Sequence, residues 1–416
     1  MQKSFKYYSL LIGSAILLSV GLHAQVKTLD EYVHAAIANS PELKEVFSKI
    51  EQNTIDSALT STTYNPQINF NGQALAAPTY GQFGYDNAIT NGGTYSAVVS
   101  ATQIITPRKE IKLNHTISSY EHQSLSVQVK QAEYELRKNV TDKYLNICLL
   151  QKQAEFYAKS DTFLISETNT LKTLTDKGIY RMSDYYALLV EEQSERVQVA
   201  QLKVQLSQSI GELNQACGLN DTTNYVFAIP HIDLYKQNDV KQLIGYQKFQ
   251  YDSLQLASQQ ALLDAQYYPH LSWYADAGIE ASRPDLIYRS FGNSLGLNLN
   301  IPIYDGHKKE LKHKSLAISE GVRSNYEQFY AKTHSAQSTS LVKQLVDAAK
   351  LIEQLKNEEG QVTEWMKINK AQLAVGNISV TDFLIGLKKE LEVKNDMAQA
   401  IINQQLLQNE FNYWNQ

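Results

Sequence analysis

The chain has 416 residues, with 38 Lys and Arg against 43 Asp and Glu, a formal net charge of −5 at pH 7. That balance excludes the basic face a nucleic-acid binder presents to phosphates. Nineteen Gly and eight Pro are too few for a collagen-like or low-complexity chain, and two Cys cannot make a disulfide framework.

Residues 1–24 read as a signal peptide. Lys3 and Lys6 give a basic start, Leu10 to Val20 an apolar run, and Leu22-His23-Ala24 a cleavage site before Gln25. Export would leave 36 basic against 43 acidic residues, a net charge of about −7. No later stretch approaches the ~18 consecutive apolar residues of a transmembrane helix. A mature chain that crosses a membrane must therefore do so as strands. The 26 Tyr, against 12 Phe, fit the aromatic girdles of membrane barrels and equally an amphipathic surface.

An internal repeat organises the rest. Tyr64-Asn65-Pro66-Gln67 returns as Tyr267-Tyr268-Pro269-His270, and Arg108-Lys109-Glu110-Ile111-Lys112 as Lys308-Lys309-Glu310-Leu311-Lys312. Lys177-Gly178-Ile179 with Ser183-Asp184 returns as Val375-Gly376-Asn377 with Thr381-Asp382. Offsets of 203, 200 and 198 residues keep order and spacing, which means duplication. The first copy is expected over 25–217, a linker over 218–238, and the second copy over 239–416.

Each copy reads as a helix, two strands and two long helices. The first helix has a capping box at Thr28 to Glu31 and restarts at Ser40-Pro41; residues 239–266 are its equivalent. Hairpins are expected at 67–104 and 270–304. Gln67, Asn69, Asn71 and Gln73 alternate with Ile68, Phe70, Gly72 and Ala74. Thr94, Ser96, Ser100 and Thr102 flank Tyr95, Ala97, Val99 and Ala101. Leu271, Trp273, Ala275, Ala277 and Ile279 alternate with Ser272, Tyr274 and Asp276; Leu295, Leu297, Leu299, Ile301 and Ile303 alternate with Ser294, Gly296, Asn298 and Asn300. Such sets suit tilted membrane strands of roughly 9–11 residues, and also a half-buried soluble sheet.

The helices separate these readings. Residues 108–175 contain neither Pro nor Gly and carry Leu125, Val129, Ala132, Leu136, Val140, Tyr144 and Ile147 at helical spacing. Such a helix is roughly 100 Å long. Val199, Leu202, Leu206, Ile210 and Leu213 follow the break at Gly178, and the second copy repeats the pair. These rows read as coiled-coil seams. Four strands cannot close a barrel alone, so their edges need other chains. Export, four strands and long paired helices point to an α+β membrane protein, an oligomeric barrel continued by a helical tube.

On these features the chain resembles the TolC-type outer-membrane efflux channels over essentially its full mature length. The residues that carry the resemblance are Tyr64-Asn65-Pro66, Tyr268-Pro269, Ile301-Pro302-Ile303-Tyr304-Asp305-Gly306 and the two Gly178-to-Asp184 and Gly376-to-Asp382 turns. The resemblance implies a homotrimer in the outer membrane. Four strands per chain would build a 12-stranded barrel in lipid above a periplasmic α-helical barrel. It implies a passive exit duct for efflux or type I secretion, docked to a periplasmic adaptor and an inner-membrane transporter. An exported coiled-coil scaffold without a pore is the alternative. Loops 77–93 and 281–290 would lie outside the cell. Asn69, Asn71, Asn298 and Asn300 would face a lumen, and Phe70, Leu297 and Leu299 the lipid.

The tips Gly178, Ile179, Val375, Gly376 and Asn377 are expected to contact the adaptor. Asp382 matches a carboxylate that narrows the family's pore, and threefold symmetry would gather it into a cation-selective constriction. A helix N-terminal acid is the plainer role for it. Asp184 matches a position that ties the mouth shut, but Leu373 and Ile378 replace its partners. Ile385 replaces a second pore-lining acid, so a weaker tie and a single acidic ring are expected. The first copy departs from the pattern at Thr106-Pro107.

No phosphate loop, nucleophile elbow or zinc helix occurs, so neither an enzyme nor a cofactor is expected. His115 and His122 read as solvated surface, His307 and His313 as polar groups at the barrel–helix junction, and Cys148 and Cys217 as free thiols. Asp276 and Glu280 share a strand face with nothing to mark an acid–base pair.

Overall fold

The duplication is written twice in the backbone. The computed structural model describes residues 27–416, apart from 87–88, 90–91, 222–224 and 237. The expected signal peptide lies outside these described residues. In the first copy, α1 (Leu29–Asn39) and α2 (Pro41–Thr62) lead into β1 (Gln67–Ala76) and β2 (Gly93–Ile105), then α3 (Arg108–Asp176) and α4 (Met182–Ala216). The second copy runs α5 (Ile244–Ala265), β3 (His270–Ala281), β4 (Phe291–Asn300), α6 (Lys308–Ala374) and α7 (Val380–Trp414). Helices α3 and α6 have 69 and 67 residues, and α4 and α7 have 35 each. At 1.5 Å per residue the long pair reaches roughly 100 Å.

Local chemistry sets these boundaries. Thr28 Oγ1 accepts from the Glu31 N–H at 3.4 Å, and Ser40 Oγ from the Leu43 N–H at 3.3 Å with Pro41 at the first helical position. Both long helices end on a left-handed glycine, Gly178 at φ 75° and Gly376 at φ 80°. In each turn the next N–H reaches back five residues: Ile179 to Leu174 O at 3.0 Å, and Asn377 to Gln372 O at 2.9 Å. A side chain with Cβ is disfavoured there, which explains the shared glycine.

The strands form one antiparallel sheet in the order β1-β2-β3-β4. Strand β4 stops at Asn300, short of the hairpin expected to 304. Pro302 has no N–H to give a ladder, so Ile301 and Ile303 leave the sheet despite continuing its alternation. The motif residues join sheet to helices. Gln103 Nε2 donates to Tyr64 O, Asn114 Nδ2 to Tyr64 Oη, and Tyr267 Oη to Asp305 Oδ2 at 2.5 Å. Asp305 Oδ2 also accepts the Lys309 N–H at 2.8 Å, which holds the start of α6. His313 pairs with Asp264 at this same junction, and His307 with Glu310, while His115 and His122 lie exposed.

The main core lies midway along the helices. Tyr32, Val140, Tyr144, Ile147, Leu213 and Ile402 are nearly inaccessible. Tyr32, Tyr144 and Phe227 form a triangle of rings with centroids 5.3–6.1 Å apart; each such pair adds about 0.5–1.5 kcal/mol beyond area burial. Phe227 belongs to the irregular segment between the copies, which crosses the helices as a strap. Side-chain amides hold its backbone: Gln151 accepts from the Phe227 N–H, Gln405 from Ile232 and Asn412 from Tyr235.

Cys148 and Cys217 are buried free thiols in this core. Burial pushes Cys148 up to about 12 and Cys217 to about 11, so neither forms a thiolate near neutrality. Ellman's reagent at pH 8 is expected to find no fast-reacting thiol in the native protein and two after denaturation without reductant.

Candidate functional site: the two-faced sheet and the paired helical tips

The register sorts the four strands into two chemically distinct faces. Phe70 pairs with Val99, Val99 with Ala277, Ala275 with Leu295, Trp273 with Leu297 and Leu271 with Leu299. Cross-strand partners point to one side, so these residues share a single apolar face. The opposite face carries Asn69 beside Ser100, Ser100 beside Asp276, Asp276 beside Ser294, and Ser272 beside Asn298. Ser294 Oγ donates to Asp276 Oδ2 at 3.1 Å. Tyr274 belongs to this face too, and its ring lies across Gly296, where a Cβ would collide with it.

The apolar face is uncovered in the single chain: Phe70 is 69% exposed, Leu295 79% and Leu297 72%. Both outer strands have a free edge. A sheet with an uncovered apolar face and two open ladders is an incomplete object.

At the far end of the helices the two hairpin tips meet. Gly376 lies so close to Ile179 that a Cβ on it would approach Ile179 Cγ2 to 2.8 Å. Above them a second core packs Leu164, Leu171 and Leu188 of the first copy against Met366, Leu373, Val380, Phe383 and Leu387 of the second. Phe163 and Phe383 meet across this seam with ring centroids 6.0 Å apart and planes tilted by 41°. Tyr180 Oη, facing the carbonyls of Leu373 at 3.1 Å and Ile378 at 2.9 Å, bonds the first hairpin to the second. Tyr180 was not legible in the sequence, because its acceptors are backbone atoms of the other copy and belong to no side-chain pattern.

The acids at the tips are occupied locally. Asp184 Oδ2 accepts the Arg181 N–H at 3.2 Å within the first turn of α4. Ser379 caps α7: its Oγ accepts the Asp382 N–H at 3.0 Å and donates to Asp382 Oδ2 at 2.6 Å. This is the capping geometry and dipole-favoured placement of a helix N-terminal acid. Asp382 remains exposed, as does Ile385 at 55%, one turn along the same face of α7. Ile179 and Val375 are exposed at the extreme tip, at 53% and 65%.

No protein-family model matches this sequence, and no curated protein is similar to it. Solved structures are. The CmeC outer membrane channel of Campylobacter jejuni superposes with a TM-score of 0.77 at 12% identity, covering 93% of this chain and 85% of that one. The outer membrane protein VceC of Vibrio cholerae gives 0.76 at 12% identity, over 92% of this chain and 94% of that one. This chain has the fold of the TolC-type outer-membrane channels. The Neisseria gonorrhoeae MtrE outer membrane channel, in its open state, matches at 0.73 and 10% identity, over 93% and 88%. At such identities few side chains are shared, so the likeness carries the helix–hairpin plan and not the identity of any tip residue.

Proposed function

We propose that the chain is one subunit of a homotrimeric outer-membrane exit duct, whose helices extend into the periplasm as a tunnel. The observation that carries this reading is the register: Phe70, Val99, Leu271, Trp273, Leu295, Leu297 and Leu299 fall on one face between two unpaired edges, against Val98, Ile104 and Tyr274 among the polar side chains of the other. The apolar band runs about nine residues along each strand, roughly 30 Å of contour. Tilted by 35–45°, it spans roughly 20–25 Å, the height of the apolar band on an outer-membrane barrel. Because β1 and β4 run in opposite directions, β4 of one copy can pair with β1 of the next in the same antiparallel pattern. Two copies would give eight strands and an interior filled by side chains, whereas three give twelve and leave an aqueous lumen lined by the polar face.

The helices carry matching flanks. Tyr186, Val190, Val197 and Val204 form an exposed apolar row on α4, and Ile318, Val322 and Phe329 another on α6. These rows suit contact between neighbouring subunits at coiled-coil spacing. In this assembly the duct conducts passively and performs no chemistry of its own. A periplasmic adaptor and an inner-membrane transporter deliver its cargo, and Ile179, Val375 and the Gly178 and Gly376–Asn377 turns meet the adaptor. Asp382 of three subunits then lines the narrowest ring, with Ile385 one turn above it and Asp184 outside it.

Fractionation tests the reading: a heat-modifiable trimer extracted from outer membrane by detergent is expected, and a monomer in the soluble periplasmic fraction would refute it. The loops after β1 and β3 are then extracellular. An epitope inserted after Asp86 is expected to be labelled on intact cells, and labelling only after lysis would invert the topology.

A further inference from the structure

Among the described residues, Glu195 is a buried carboxylate of the seam between the helical hairpins to which the surrounding cations are not committed. It lies about 20 Å along α4 from the tip, and is 6% exposed, already buried within a single chain. Its Oε2 has no hydrogen-bond partner among the described residues. The charged and titratable groups around it come from three helices. Helix α3 supplies Tyr157 and Asp161, α4 itself supplies Glu191, Glu192 and Arg196, and α7 supplies Lys388. The two cations are taken. Arg196 Nη2 pairs with Glu192 at 2.7 Å while its Nε meets Asp161 at 3.2 Å. Lys388 crosses from the second hairpin to Glu191 at 3.1 Å. A buried carboxylate beside other carboxylates, with no cation left for it, has a strong reason to hold a proton.

We propose that Glu195 makes the seam between the two hairpins proton-sensitive: the packed seam holds Glu195 protonated, and parting of α4 from α7 releases that proton to water. Burial, reinforced by the charges of Glu191 and Asp161 and opposed by Lys388, pushes the Glu195 carboxyl up to about 7. A parted, hydrated seam returns it towards the ordinary value of 4.5. The sign follows from linkage. Below pH 4.5 both states are protonated and pH has no effect. Between 4.5 and 7 only the packed state keeps the proton, so rising pH favours parting; above 7 both are ionised and the effect levels off. Mild acid therefore tightens the seam. Its location supports a role in opening, since Tyr180 and the Phe163–Phe383 contact bridge the same two hairpins, and a cavity of about 350 Å³ beside Phe163, Met366 and Leu387 leaves room for repacking. Only the consequence for conduction rests on the duct reading.

Hydrogen exchange of the full-length protein in detergent tests this directly, following peptides from 182–200 and 380–392 between pH 4.5 and 8 and correcting for intrinsic rates. The local opening constant is expected to rise by up to about tenfold per pH unit below pH 7 and then flatten. Glu195→Gln, which fixes the neutral form at nearly the same volume, should remove that slope. Asp161→Asn, by deleting a neighbouring like charge, should bring the plateau to lower pH. A flat wild-type profile, or a Glu195→Gln profile with the wild-type slope, would overturn the proposal. Because exchange reads the seam itself, a protein that forms no channels in bilayers would refute the duct while the seam's slope is judged separately.

Discussion

Leu295→Lys is expected to cost roughly 2–4 kcal/mol of folding stability in lipid, whereas Ser294→Lys, one residue away, should be tolerated. Leu295 sits at the middle of β4 opposite Ala275, on the apolar face. A charge there must either sit in hydrocarbon or drag water into the bilayer. Ser294 is on the other face beside Asp276, which a lysine could pair with across the ladder. Depth grades the effect. Leu297 is opposite Trp273, whose indole donates to Gln103 Oε1 at 3.0 Å, as interfacial aromatics do. Leu297→Lys should therefore cost less than Leu295→Lys, and Leu299→Lys at the strand end should fall to about 0–1 kcal/mol. Urea unfolding in vesicles measures all four. Equal costs at 294 and 295 would mean that neither face meets lipid, and the sheet would have to be a soluble one.

Much of this architecture was legible before any coordinates, for a physical reason. A duplicated chain states its boundaries twice, and a proline-free, glycine-free run as long as 108–175 has few folds open to it. The alternation of Leu295, Leu297 and Leu299 against Asn298 and Asn300 fixed the two faces, because side-chain period is a local property. What failed locally was the strand end: Ile301 and Ile303 keep the alternation, and only the missing N–H of Pro302 breaks the ladder. The tips were harder. Asp184 and Asp382 carry charges that sequence alone could assign equally to a helix start or a lumen; in the single chain Asp184 accepts the Arg181 N–H and Asp382 accepts from the hydroxyl of the capping Ser379. Tyr180 and Glu195 gave no signal. Tyr180 takes its acceptors from the copy almost two hundred residues away, and Glu195 is enclosed by Tyr157 and Asp161 of α3, acids of its own helix and Lys388 of the other copy, so nothing adjacent in sequence distinguishes them from solvated side chains. Residues 218–238 have no period at all, and their course depends on amides of α3 and α7 that receive their N–H groups.

Phe383→Ala is expected to destabilise the hairpin seam by about 3–5 kcal/mol, while Asp382→Asn, the adjacent substitution, should leave stability within about 1 kcal/mol. The two side chains leave α7 about 100° apart, one to solvent and the other into the seam. Phe383 is fully buried in the second core and its ring packs, tilted, against Phe163 of the other hairpin, so truncation opens a void that the rigid helices cannot collapse into. Asp382 is exposed, and an asparagine there can still accept from Ser379 Oγ, losing only the charge near the helix N-terminus. The functional readouts should divide the same way. In single-channel recordings Phe383→Ala should raise the open fraction and conductance without changing ion preference, because it loosens the seam and leaves the lining charge in place. Asp382→Asn should weaken cation preference and block by multivalent cations, with the seam as tight as before. If Asp382→Asn alters neither, the carboxylate serves as a cap alone, and the selective ring must be sought elsewhere along the exposed row of α7 that includes Ile385 and Glu392.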